Sequence, residues 1–355
     1  MRQLLILAIP ALLTLTGCGP DVTLADDFDI DFDFSLRASD ALHAPYVRGA
    51  HVRLRARTDD EGTDTSQWSI RSRNPAVLAP LDPAQEHQFL AESAGTAEVQ
   101  VLDVDDSVLH AAVIEVAVPD RATLQAHAPM FVGRNDPPVG DRVTVLAGGS
   151  ATFLVRYWQG DRELHGNGVL TAAADATVAV QAQTSFLVEN REWLTVTPGE
   201  PGDHVVQIFA DGVPVGALAV HVVTAEAVEA ILLTGQDESQ AKAGDALTVL
   251  AEAFDLDGNP VYGVDFGWDL DGAPEQGQGD LYTYEYRPSR TRTLCARFNT
   301  SEAAATIHAG IGGVGTSNTV GCSTGSAHSP SALALVLTVL AATVLLRRRD
   351  SGRVS

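Results

Sequence analysis

Apolar and polar residues alternate over short stretches through most of this 355-residue chain, and Gly, Pro, Asp or Asn interrupts each stretch before a helical period passes two turns. In an extended strand successive side chains point to opposite faces, so the alternation predicts an all-β chain of short strands. The pattern also recurs. After Gly49, Val52, Leu54 and Ala56 share one face and Arg53, Arg55 and Arg57 the other; Ala151, Phe153 and Val155 stand at the same offsets from Gly148, and Leu247, Val249 and Ala251 from Gly244. The three glycines are 99 and 96 residues apart, the size of one β-sandwich domain.

A second landmark repeats in the first two units. Gly95 precedes Val99, Gln100 and Val101 as Gly202 precedes Val206, Gln207 and Ile208, and a turn and a last strand follow each. The third unit has no such glycine before residues 291–298, whose inward face the pattern leaves ambiguous. Trp68 and Trp268 fall 19 and 24 residues after their glycines, where the third strand of a sandwich carries a core tryptophan. The prediction is three tandem β-sandwich modules, residues 26–120, 121–224 and 225–309.

The two ends break the pattern. Residues 1–17 carry a charge at Arg2 and an apolar run from Leu4 to Leu15, which reads as a targeting segment rather than a fold element. Residues 310–331 are rich in Gly, Ser and Thr and read as a flexible linker. The apolar run 332–346 is shorter than the ~20 residues that span a typical bilayer. The Arg347, Arg348 and Arg349 cluster that opens the tail 347–355 nevertheless marks it as a transmembrane segment with a cytoplasmic end.

Charge narrows the choice of partners. Lys and Arg together number 23 against 46 Asp and Glu, a net charge of −23, and removing both ends makes the remainder more acidic still. Such a surface repels phosphate backbones, so nucleic acid is a poor candidate partner and none is expected. Three cysteines, Cys18, Cys295 and Cys322, are too few for a disulfide framework. Cys295 is either a small buried hydrophobe or a bridge to Cys322, the latter only if Cys322 carries no modification.

Few constellations point to chemistry. Gly321-Cys322-Ser323-Thr324-Gly325 fits Gly-x-Ser-x-Gly, but a nucleophile elbow needs a strand before it and a helix after it, and this match lies in the linker. Ser239-Gln240-Ala241-Lys242 fits Ser-x-x-Lys, yet Lys242 is the chain's single lysine, so a partner Lys-Thr-Gly cannot exist; a turn is predicted. The histidines show no metal-ligand spacing. In the stretch 26–34, Phe28, Ile30, Phe32 and Phe34 alternate with Asp27, Asp29, Asp31 and Asp33, which predicts the first strand of module one with its aspartates on the outer face. That ladder guards a sheet edge or, since hard oxygen ligands suit the ion, offers a weak calcium site. Asp255, Asp257 and Asn259 raise the same question, but Gly258 stands one place too early for a calcium loop, and a hairpin turn is predicted.

Three resemblances add to this reading. Leu15-Thr16-Gly17-Cys18 resembles the bacterial lipobox, which implies cleavage by a signal peptidase, a diacylglycerol on Cys18 and a lipidated tether over residues 18–25. Gly321-Cys322, the small-residue spacer, the short apolar run and the arginines resemble the MYXO-CTERM sorting signal of myxobacteria. This implies cleavage near Cys322 by a membrane-embedded sorting protease and display at the cell surface; the plain alternative is a retained membrane anchor. Gly49-x-x-Val-x-Leu with Trp68-Ser69-Ile70-Arg71-Ser72-Arg73-Asn74-Pro75-Ala76-Val77 looks like bacterial Ig-like domains of the BIg2 type, and residues 244–298 look like Ig-like or PKD-like repeats. Such domains serve as spacers, adhesins or carbohydrate-contacting modules. The expectation is therefore a noncatalytic surface lipoprotein of the bacterial envelope, at the outer membrane or cell surface, with polysaccharide or surface proteins as partners. A carbohydrate- or calcium-binding module is the alternative, and an envelope hydrolase the third reading.

Overall fold

The computed structural model describes residues 22–26, 42, 44–58, 64–81, 87–184, 192–277 and 279–309. Among them the chain is all-β, with short 3-10 turns and no α-helix.

The first module contains β1 (Val22–Asp26), β2 (Tyr46–Val47), β3 (His51–Thr58), β4 (Ser69–Ser72), β5 (Leu78–Pro80), β6 (Gln88–Ala91), β7 (Gly95–Leu102) and β8 (Val108–Ala117). They form two four-stranded sheets, β1-β3-β6-β5 and β2-β8-β7-β4. Val52, Leu54 and Phe89 of one sheet bury with Ile70, Val99, Val101 and Ile114 of the other, and Trp68 joins them. The first described strand starts earlier than the phenylalanine–aspartate ladder predicted. Val22, Leu24 and Ala25, expected in the tether, are buried, and β1 pairs antiparallel with β3. Val22 and Leu24 are two apart, so a strand puts both into the core, which a solvated tether would forgo.

The second module contains β9 (Arg121–Ala126), β10 (Arg142–Leu146), β11 (Ala151–Gln159), β12 (Arg162–Leu164), β13 (Leu170–Ala173), β14 (Val178–Thr184), β15 (Glu192–Pro198), β16 (Gly202–Ala210) and β17 (Val213–Val223). One sheet joins β11 to β9, β12, β15 and, through β15, β14; the other begins β13-β16-β17-β10. The landmark glycines share one kind of backbone conformation. Gly49, Gly148 and Gly244 all have positive φ (84°, 75° and 103°), as do Gly95 and Gly202 (147° and 145°), conformations that a side chain would strain. In both modules the short strand before the first glycine, β2 or β10, runs parallel to the module's last strand, β8 or β17.

The third module contains β18 (Ala230–Gly235), β19 (Ala246–Phe254), β20 (Pro260–Tyr262), β21 (Gly267–Leu270), β22 (Ala273–Glu275), β23 (Leu281–Phe298) and β24 (Ser301–Ala309). Here the pattern departs from the repeat for a visible reason. β23 is 18 residues long: Leu281 to Glu285 pair with β19, while Thr291 to Phe298 pair with β24 and Gly267 to Leu270 lie alongside. The register shifts between Tyr286 and Thr291, around Pro288, which has no N–H to donate. One strand thus serves both layers, and Leu294, Cys295 and Ala296 are all fully buried, which is why no simple inward face was legible.

The modules are joined by backbone pairing. The Val47 N–H donates to the His165 carbonyl (2.8 Å), the His165 N–H to the Pro45 carbonyl (2.9 Å), and the His51 N–H to the Asn167 carbonyl (2.9 Å). Gly166 lies so close to module one that a Cβ there would meet the Ala50 Cβ at 2.4 Å. At the second joint β10 pairs parallel with β20, Thr144 opposite Val261 and Val145 opposite Tyr262, so one sheet continues from the second module into the third. The buried cluster of the first two modules is continuous, and the third module has its own, which reaches Leu146 of the second.

Candidate functional site

The joints hold the polar groups that the interior does not exclude. At the first, β15 opens with Glu192, which shares the inward phase of Leu194 and Val196 and is 2% exposed. One carboxylate oxygen accepts the N–H groups of Gly168, Val169 and Leu170 at 2.8, 3.0 and 3.0 Å; the other accepts the Tyr157 hydroxyl at 2.6 Å. Burial pushes the Glu192 carboxyl up against the opposing pull of these four bonds, and burial beside that carboxyl raises Tyr157. The residues it ties down adjoin His165 and Asn167, whose carbonyls receive module one. Glu192 therefore anchors the loop that makes the joint. At the rim Arg162 grips Glu115 through two bonds of 2.8 and 2.7 Å, and Arg48 donates to Asp211 at 2.7 Å. Both pairs are well exposed and contribute little beside the backbone ladder.

The second joint encloses a cavity of about 290 Å³. Module two lines it with Ala126 to Pro129, Phe131 and Ser150 to Thr152; module three with Leu250 to Ala253, Pro260 to Val264, Phe266, Asp280 and Leu281. Tyr262 also walls a broader groove of about 720 Å³, bordered by Asp136, Arg142, His221, Asp255, Asp257 and Asn259. The wall is closed where Gly149 meets Gly263: a Cβ on Gly149 would lie 2.0 Å from the Gly263 carbonyl oxygen. Tyr262 packs edge-on against Phe153 at 5.4 Å between ring centroids.

The charges around this cavity are mostly spoken for. Arg134 bonds Glu252 through both terminal nitrogens, one bond at 3.1 Å, and bonds Asp136 at 3.1 and 2.5 Å. Burial alone would lower the Arg134 pKa, but these carboxylates raise it. His127 lies against Phe131 and Trp193 (4.6 and 4.1 Å between centroids), and burial holds its pKa down to about 4, so the ring is neutral. Burial lifts Tyr262 to about 12. Asp280 differs: burial, with Glu252 nearby, lifts it to about 6, and among the described residues no other residue's donor reaches its carboxylate.

The residues singled out by sequence meet varied outcomes. Cys18, Gly321, Cys322, Arg347, Arg348 and Arg349, and the ladder aspartates Asp27, Asp29, Asp31 and Asp33, lie outside the described residues. Cys295 is fully buried and disulfide-bonded. Residues 238–240 form a 3-10 turn, with Asp237 capping Ser239 at 2.9 Å. Residues 255–259 form the hairpin turn between β19 and β20, where Asp255 Oδ1 accepts the Asp257 and Asn259 N–H groups at 3.0 and 2.8 Å. That oxygen is occupied by its own turn. Among the described residues no three His, Cys, Asp or Glu side chains gather to hold a metal ion, and no helix is long and apolar enough to cross a membrane. Sequence reasoning passed over Glu192 and Asp280. Glu192 carried a signal, a carboxylate in phase with two core residues; Asp280 carried none.

No family model matches the chain. No curated protein matches it either. Among solved structures it is similar to domains 4–9 of the surface layer protein SbsC (17% identity, 72% of this chain and 42% of that one, TM-score 0.33). It is also similar to the Escherichia coli adhesin FdeC (16% identity, 74% and 93%, TM-score 0.26). A third is the Bacteroides ovatus protein SGBP-B, solved with a mixed-linkage heptasaccharide (12% identity, 74% and 63%, TM-score 0.23). The chain thus spans less than half of the surface layer fragment. All three scores lie below the level at which two chains share an overall arrangement, so these likenesses carry no function to this chain.

Proposed function

We propose that this chain is a noncatalytic envelope protein in which three Ig-like modules form a stiff spacer or scaffold, an adhesin among its uses, held outside the cytoplasm by a lipid on Cys18. The carrying observation is the backbone hydrogen bonding across both module joints. Independent beads would be separated by solvated linkers; here only three residues lie between β8 and β9, and β10 and β20 share a sheet. Backbone ladders have fixed length and direction, so bending either joint means breaking buried hydrogen bonds. Such a chain keeps its far end at a set distance and orientation. In this reading signal peptidase and a C-terminal sorting protease mature the protein, the lipid binds the membrane, and the acidic modules face polysaccharide or surface proteins, with no nucleic acid.

Spin labels on Val104→Cys and Leu256→Cys, residues 76% and 84% exposed, test the stiffness. A narrow distance distribution between modules one and three is expected, and a broad one overturns the spacer reading. The address is tested by protease shaving of intact cells. If neither Cys18→Ala nor truncation after Gly321 changes where the protein is found, the anchoring reading fails.

A further inference from the structure

The cavity at the second joint is more than a packing gap. It has walls from both modules, aromatic surface from Tyr262 and Phe266, and, in Asp280, a carboxylate to which no other described residue donates. We propose that this cavity binds a small organic ammonium ion, its N–H groups donating to the Asp280 carboxylate and its alkyl part lying against the aromatic and aliphatic wall.

Every ionisable group on the wall bears on the choice of ligand. His127 is neutral, Tyr262 is neutral, and Glu252 is committed to Arg134, which is itself shared with Asp136. Asp280 alone among them presents an uncompensated negative charge. A carboxylate removed from water attracts a cation strongly unless it is already paired, and apolar walls raise that attraction by excluding solvent. An anion would meet Asp280 and Glu252 and, among the described residues lining the cavity, no cation to receive it. A bare metal ion would need six or more converging oxygens or a set of nitrogen and sulfur ligands, and no such gathering exists among the described residues. An alkylammonium supplies what the wall lacks, a compact charge with N–H donors and an apolar tail that suits aromatic rings. The neighbouring groove has three carboxylates on its border, Asp136, Asp255 and Asp257, against the one arginine Arg142, so a cation approaches over a net acidic rim. The ligand would touch both modules at once, so occupancy would also tighten the joint.

Titration calorimetry on the full-length chain in detergent, with butylammonium and with its uncharged isostere 1-butanol, tests the assignment. Saturable butylammonium binding is expected, with 1-butanol about tenfold weaker or worse. Equal binding of the two, or none by either, overturns the proposal without reference to any variant and without touching the spacer reading. Asp280→Asn should keep the fold and lose about the same tenfold for butylammonium; unchanged affinity in a folded D280N protein also overturns it. Putrescine and N-acetyl-lysine amide then distinguish the sources: tighter binding of the first favours a free polyamine, and of the second a lysine side chain. If both bind about tenfold more weakly than butylammonium, both of these sources are excluded and the ligand is a short monoamine.

Discussion

Glu192→Ala is expected to unfasten the first joint. Four donors converge on the carboxylate, the N–H groups of Gly168, Val169 and Leu170 and the Tyr157 hydroxyl. Alanine leaves all four without that acceptor in a buried setting. At about 1 kcal/mol for each stranded donor, the low end of the range, the loss is about 4 kcal/mol. Glu192→Gln keeps an acceptor for the three amides and lets its amide group face Tyr157, so its cost is expected at about 1–2 kcal/mol. Burial raises the Glu192 pKa above its ordinary value, so the folded protein holds this proton more tightly than the unfolded chain does. Its contribution is therefore largest below the unfolded pKa near 4.5 and declines as pH rises through the folded value. The cost of Glu192→Gln should accordingly shrink from acidic to neutral pH. Urea unfolding gives the energies, and native-state hydrogen exchange locates them. The amides of Val47 and His51, bonded across the joint, should lose more protection than those of β16. A loss below about 1 kcal/mol for Glu192→Ala, or unchanged exchange at Val47 and His51, would refute the role given to this carboxylate.

Four further outcomes follow from other parts of the chain. Gly149→Ala places a methyl 2.0 Å from the Gly263 carbonyl oxygen, so it should cost about 2 kcal/mol or more in urea unfolding and broaden the inter-module spin-label distances. Between pH about 4 and about 6 the wild type should lose a few kcal/mol of stability relative to Asp280→Asn, because the Asp280 carboxyl is raised from 3.8 to about 6 and ionises later in the folded protein; parallel stability curves would count against it. Non-reducing peptide mapping should find Cys295 joined to Cys322, because a lipidated Cys18 has no thiol to offer and the chain has no fourth cysteine; a Cys18–Cys295 peptide would sink the lipidation of Cys18. Millimolar calcium should raise the melting temperature if Asp27, Asp29, Asp31 and Asp33 hold the ion, and an unmoved transition disposes of that site.

The sequence by itself determined the strand character and the places of the landmark glycines. Period two is a local property: Val52 and Leu54, or Val206 and Ile208, must share a face of any strand they enter, and all four are buried. The glycines at 49, 148 and 244 were equally legible as candidate turns, because glycine takes a positive φ without strain. Strand boundaries were less so. Val22 and Leu24 carry only half a period before the aspartate ladder, and the doubled role of β23 depends on which strands lie on either side of it. Only the tertiary structure decided the joints. Val47 finds His165, and Val145 finds Tyr262, through backbone groups that every residue possesses, so no side-chain pattern announces the pairing. The same holds for the cavity, whose walls come from segments far apart in sequence, such as Ala126 to Pro129 and Pro260 to Val264. A lone Asp280 in a turn reads as ordinary surface until the fold closes around it, and its charge acquires meaning only from the partners that the other groups have already taken.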